Sequence, residues 1–297
     1  MILSPAGNAN RFFHPMSIVL VKLWQIDVYA LLPLLHRYRG SIRCKGQHMR
    51  IITIFLSICT VFAVGAVSAD AKLKDPQKVE QLEYMMSFLG FALTAATGDQ
   101  ALLNNPEIGD KGITADKVIA NSDAKFKEKS GFSFLEGSHS DVYGQARKAL
   151  IESIRDVVND AQGSINTKGV GFKGFIPASF RSKVSLRFNE KMSGKMRFQA
   201  TAPQGLLRNR KHRPDTWEDK IMYGKFMLAD YPKNQPYSES TTVDGKTAFR
   251  YMKPLYYGEK CLACHGEAKG EPDISGYPKE GAKLDDFAGA MSFIVFE

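Results

Sequence analysis

Cysteine, tryptophan and histidine are all scarce in this chain of 297 residues, at 4, 2 and 6. Four cysteines are too few for the disulfide framework that holds small secreted scaffolds together. No internal repeat and no low-complexity tract is present, which excludes solenoid and collagen-like architectures. Charge of one sign is not strongly dominant: 40 Lys+Arg stand against 31 Asp+Glu, a formal net charge of +9. Taken at face value, that excess raises nucleic acid or an anionic membrane as partners. Hydrophobic residues make up 44% and charged residues 24%, values of a globular chain and not of a multi-span membrane protein. The length allows a buried core in one large or two modest domains.

Long uncharged apolar runs are equally rare, and the clearest one has the form of an export signal. Met49 to Asp70 reads MRIITIFLSICTVFAVGAVSAD. Arg50 gives the positive start, residues 51–67 form the apolar stretch, and Val67-Ser68-Ala69 places a cleavage site before Asp70. The competing reading, a retained membrane anchor, is disfavoured because the stretch is marginally short and no basic flank follows it. A lipoprotein signal at Cys59 is disfavoured by Ile58, which stands where a small residue is wanted. The expectation is that translation starts at Met49, that residues 1–48 are a gene-start extension which does not fold, and that residues 49–69 are a cleaved signal. Removing the seven basic residues and one acidic residue of positions 1–69 leaves 33 basic and 30 acidic residues, net +3. The nucleic-acid reading then falls away, and no membrane span is expected after cleavage. The remaining 228 residues suit one domain, 70–297, with two cysteines (Cys261, Cys264) and three histidines (His139, His212, His265).

Within that domain helices come first. Asp75-Pro76 is a helix start, and Val79, Leu82, Met85, Met86, Leu89 and Leu93 follow helical spacing. Thr114 is positioned to cap a second helix reaching about Lys129. Ser140 opens a third, with Ala146, Leu150, Ile154, Val157, Val158 and Ala161 on one face. Residues 163–174 read as a Gly-rich loop, and further helices start near Pro177 and Pro214. Strands come late: 196–200, then 238–243 and 246–252 around the hairpin pair Asp244-Gly245, then 288–296. Helices followed by an antiparallel meander give an α+β class.

Both cysteines and one histidine fall together in Cys261-Leu262-Ala263-Cys264-His265, the C-x-x-C-H pattern of covalent c-type haem attachment. Two thiols at this spacing reach the two vinyl groups on one haem edge, and the adjacent imidazole meets the iron. At this chain's own Cys and His frequencies, chance occurrence is about one in a thousand. A structural zinc site needs a fourth ligand, and adjacent Cys264 and His265 suit one tetrahedral ion poorly. A thioredoxin-like pair belongs after an early strand in an alternating α/β domain. A plain disulfide leaves the histidine without a role.

One motif means one haem c, with Cys261 and Cys264 attached covalently and His265 as axial iron ligand. The sixth iron position is open to four candidates: His139, His212, Met85 and Met86, each with a plain structural alternative as a loop or core residue. Arg208, Arg210 and Arg213 are candidates for pairing with haem propionates, the alternative being a solvated turn. Tyr256 and Tyr257 are expected to pack on the haem or the nearby core.

Several segments then carry a family resemblance. They are Asn105-Pro106 with Gly109-Asp110-Lys111-Gly112; residues 169–178, GVGFKGFIPA; Arg208-Asn209-Arg210 with Arg213-Pro214-Asp215 and Trp217-Glu218; the haem motif; and residues 276–281, GYPKEG. In this order they resemble a bacterial c-type haem domain family of unknown function. It occurs as lone secreted proteins and as sensory ectodomains of signalling kinases. The resemblance implies a PAS-like antiparallel sheet flanked by helices, with an N-terminal helical segment. It carries the haem roles onto Cys261, Cys264 and His265. Some members take a cysteine of the N-terminal helix as the other axial ligand; this chain has none there.

The leading functional expectation is haem-based electron transfer in the periplasm or another exported location, with a redox protein as partner. A sensor of redox state or a small gas (NO, CO, O2), acting on a separate signalling protein, is the alternative. Peroxidase-type catalysis ranks last, because it needs an acid–base residue at an open distal site and only His139 is on offer. The chain is therefore not expected to be an enzyme.

Overall fold

A computed structural model describes residues 75–297. The expected extension, signal and cleavage site lie outside the described residues. The first helix, α1 (Pro76–Thr97), begins as the sequence suggests, with the Asp75 carboxylate accepting from the Lys78 backbone amide and Pro76 in the first turn. After one further turn, α2 (Gln100–Leu103), comes α3 (Ala115–Ser130), capped by the Thr114 hydroxyl and closed by Gly131 at φ 84°. Helix α4 (Val142–Ile165) is capped by Asp141 and extends past Gly163, so the expected loop begins three residues later than its first glycine. A single exposed glycine costs a helix only about 1 kcal/mol, less than the burial of Ile165 on the core-facing side returns. Helix α5 (Pro177–Lys191) starts at its proline.

The sheet follows: β1 (Met196–Thr201), β2 (Tyr237–Val243), β3 (Lys246–Tyr256) and β4 (Phe287–Phe296), in the antiparallel order β1-β4-β3-β2. Between β1 and β2 lies α6 (Thr216–Ile221), whose start is a full capping box: Asp215 and Glu218 each accept from the other's backbone amide. It runs on into a π turn at Met222–Phe226. The β2–β3 turn has Asp244 at φ 53° and Gly245 at φ 78°, the two left-handed residues that a tight hairpin of this type demands. Strand β3 runs four residues beyond its expected end, through Pro254. Its partner β2 stops opposite Met252, so Pro254 pairs only with β4 and its missing N–H costs no second ladder bond.

Alternation along the strands gives the sheet two unlike faces. Met196, Phe198, Phe249, Tyr251, Phe293 and Val295 face the helical layer and join one core with α1, α3, α4 and α5. Phe88, Phe126 and Phe134 form its aromatic centre, with Phe88 and Phe134 stacked at 4.1 Å. The opposite face carries Gln199, Arg250, Met252 and Ser292 under α6. There Arg250 lies over the Trp217 ring at 4.1 Å and pairs with Asp215 at 2.7 Å. Glu218 is buried beside them, and burial pushes its carboxyl pKa up. The class is α+β, a four-stranded antiparallel sheet flanked by helices. No helix among the described residues is long and apolar enough to cross a membrane.

Candidate functional site

The motif sits where β3 ends. A 3-10 turn, Glu259–Cys261, passes directly into α7 (Leu262–His265). Residues three and four apart share one face of a helical turn. Cys264 and His265 therefore stand on the same side as Cys261. Both thiols are free; Cys261 is exposed and Cys264 half-buried. Burial, with the nearby Asp273 carboxylate, raises the Cys264 thiol pKa. Among the described residues no group of three or more His, Cys, Asp or Glu side chains is arranged to hold a metal ion. Two free thiols on one side of a turn beside an imidazole fit a flat macrocycle attached along one edge.

After α7 the chain folds back on itself. Gly270 donates to Lys279 O, Lys279 to Glu271 O and Asp273 to Tyr277 O, at 2.8–2.9 Å, forming a small irregular hairpin. Ala282 then donates to the His265 carbonyl at 2.8 Å. This return places Asp273 and Glu280 beside the motif, where Arg208 joins them. The guanidinium makes a two-pronged contact with Glu280, at 2.7 and 2.9 Å, bonds Asp273 at 2.6 Å and donates to the Cys264 carbonyl at 2.8 Å. Glu280 also meets Nδ1 of His265 at 2.8 Å. Tyr257 lies against the imidazole with ring centroids 5.0 Å apart.

The electrostatics follow from that geometry. Burial alone would lift the Asp273 carboxyl, but hydrogen bonds from Ser275 and Arg208 outweigh it and hold the pKa at about 2. Glu280 is likewise held below the ordinary carboxylate range: desolvation opposes, and its bonds to Arg208 and His265 prevail. Arg208 is held above its usual value because the two carboxylates overcome its desolvation. Burial and the adjacent Glu280 push Tyr257 up to about 12, so its phenol stays neutral at ordinary pH.

Of the sequence candidates, the structure brings Cys261, Cys264, His265 and Arg208 together. Arg208 is taken up by Glu280, Asp273 and the motif backbone, which makes it a clamp on the motif. Arg210 stands exposed in the 3-10 turn Arg210–His212 and Arg213 exposed just after it. The four candidates for the sixth iron position are each engaged elsewhere. His212 bonds the Ser182 hydroxyl through Nε2 at 2.6 Å, and burial lowers its pKa. His139 bonds Gly144 O through Nδ1 at 3.1 Å. Met85 is in the apolar core, and Met86 packs against it. Tyr256 packs at 6.1 Å from Phe287.

Sequence reasoning passed over Glu280, Asp273 and Arg181. Glu280 lay inside a segment already noted, GYPKEG, and an acidic residue following a C-x-x-C-H by fifteen positions was its signal. Arg181 of α5 carries its charge within electrostatic reach of Cys261, and desolvation lowers its pKa; a lone arginine early in a helix gives no such signal. Neither of two open concavities, one of about 590 Å³ near Val142 and Phe296 and one of about 270 Å³ near Glu218, includes a motif residue. The donor pattern, not concavity, marks the site.

No curated protein and no solved structure matches the chain. The family model described as Tll0287-like matches residues 139–295, more than half of the chain, and takes in Arg208, the whole C-x-x-C-H motif and Glu280; the chain belongs to the Tll0287-like family.

Proposed function

We propose that the protein is an exported carrier of one covalent haem c, working in electron transfer. Cys261 and Cys264 hold the macrocycle through thioether bonds, and His265 ligates the iron through Nε2. One observation carries the reading: the two free thiols and His265 share one face of a turn, and the His265 ring hydrogen-bonds through Nδ1. Nε2 has no hydrogen bond among the described residues. The family membership supports it, since the Tll0287-like family is of the c-type haem, PAS-like kind. When bound, haem supplies a one-electron couple. The chain's own part is to fix the macrocycle by two bonds and to present the imidazole in one orientation. Arg181, near Cys261 and without an acidic partner among the described residues, and exposed Arg210 and Arg213 are cations available to meet propionates.

The engagement of His139, His212, Met85 and Met86 favours a second reading. A haem lacking a strong sixth ligand binds small gases, and the protein is then a sensor acting on a separate partner. Peroxidase-type activity stays the third reading: His139, its one loop candidate for an acid–base residue, bonds Gly144 O through Nδ1.

Export with a haem-maturation system, followed by haem staining of denatured protein and a pyridine haemochrome spectrum, tests the attachment. One haem per chain is expected. Cys261→Ser and Cys264→Ser should each lower the staining, and the double variant should abolish it; full staining in the double variant refutes the assignment. Visible spectra with and without CO separate the two functions. A ferrous low-spin form that ignores CO supports the carrier, and ready CO binding supports the sensor.

A further inference from the structure

The polar group beside the motif is more elaborate than attachment requires. A carboxylate only accepts hydrogen bonds, and a neutral imidazole has a single N–H. The 2.8 Å contact between Glu280 and Nδ1 of His265 therefore places the ring proton on Nδ1 and the lone pair on Nε2. The ring is fixed from other sides as well. Tyr257 lies along it, Ala282 holds the His265 carbonyl, and Arg208 holds the preceding one at Cys264. An acceptor of full negative charge on Nδ1–H pulls the proton outward and leaves more electron density on Nε2 than a neutral carbonyl does. Arg208 competes for that density. Its fork covers both oxygens of Glu280, while Asp273 draws part of the guanidinium charge away.

We propose that Glu280 is the positioning residue of the iron-facing imidazole: through Nδ1 it fixes the tautomer and orientation of His265 and makes it a strongly donating ligand that favours ferric iron, with Arg208 moderating the effect. This rests on the haem assignment above and adds how the fold sets the reduction potential of that site. A donating fifth ligand lowers the potential, because it stabilises the more positive oxidation state. Glu280 acts through His265 and touches no reacting atom.

The test uses the haem-loaded full chain. Glu280→Gln keeps the shape and an acceptor oxygen but loses the charge. It is expected to raise the midpoint potential and to shift the ferric EPR g values towards a weaker axial ligand field. Glu280→Asp, with the charge kept on a shorter arm, should recover part of both shifts. Arg208→Lys replaces the competing fork by a point charge and should move the potential the opposite way. Asp273→Asn removes an equal charge that reaches the imidazole only through Arg208, and should shift the g values in the same direction as Glu280→Gln but less. If Glu280→Gln does not accumulate, the Arg208→Lys and Asp273→Asn pair still decides the matter: no downward shift of the potential in the first, or g values moved towards a stronger axial field in the second, overturns the proposal. Covalent haem with unaltered potential and g values in Glu280→Gln overturns this inference alone. Absence of covalent haem in the parent chain removes the haem assignment and this inference with it.

Discussion

The helical layer and the segment after β3 are built from different materials. Around α1, α3, α4 and α5 the contacts are apolar, with Phe88, Leu82, Ile154 and Phe180 wholly buried. Around α7 they are polar: Arg208, Asp273, Glu280, His265 and two backbone carbonyls, with little regular structure. Apolar burial is non-directional, and many side chains of similar volume satisfy it. A charged fork on two carboxylates has few solutions, and removing one member leaves the others desolvated without a partner. The first region therefore decides whether the chain folds. The second decides whether one short turn points the right way.

Four perturbations bear on that contrast, from the largest expected effect to the smallest. Phe88→Ala opens a cavity in the aromatic cluster and should cost about 3–5 kcal/mol of global stability. Thermal unfolding followed by circular dichroism should show the midpoint fall in a single transition. Arg208→Met strands Glu280 and Asp273 and should cost roughly 2 kcal/mol, below the 3–5 kcal/mol of a fully buried pair because the arginine is 21% exposed. Its signature should be local: faster amide exchange over 266–282 with α1 and α4 unchanged. Equal deprotection of all three would break the contrast. Gly245→Ala forces a side chain to φ 78° and should cost about 1 kcal/mol. The β2–β3 hairpin belongs to the sheet that carries both regions, so exchange should rise in both. Acid comes last because it acts through the second region alone. Asp273 is held at about 2, below its unfolded value of about 3.9. Its contribution is thus complete above the unfolded value and is lost as pH falls through the folded one. Protection over 266–282, taken relative to the intrinsic exchange rate at each pH, should fall between about pH 4 and pH 2 and should not do so in Asp273→Asn.

The same contrast explains what could be read from the chain. Helix starts at Asp75-Pro76 and Pro177, the Thr114 cap and the Asp244-Gly245 turn were legible, because each depends on residues a few positions apart. So was the grouping of Cys261, Cys264 and His265, which one helical turn dictates. The full length of β3 was not. Pro254 reads as a breaker unless one knows that β2 has already ended beside it. Glu280 and Asp273 were hidden for a similar reason. Their partner Arg208 lies before β2, and its charge points equally well to water, a propionate or a carboxylate until the sheet brings the pieces together. Local chemistry announces itself in sequence, whereas long-range charge pairing does not.

That long-range pairing also has a consequence in time. Arg208 meets Asp273 across 65 residues and Glu280 across 72. Closing a flexible loop of that size costs roughly 4 kcal/mol in chain entropy, and non-local contacts of this kind form late. The stretch between them holds α6 and the β2–β3 hairpin, so the cost falls only after those elements have gathered the chain. We predict that the clamp closes over the motif after the helical core has condensed: pulse-labelled amide exchange during refolding should protect 266–282 later than α1 and α4, and simultaneous protection would refute it.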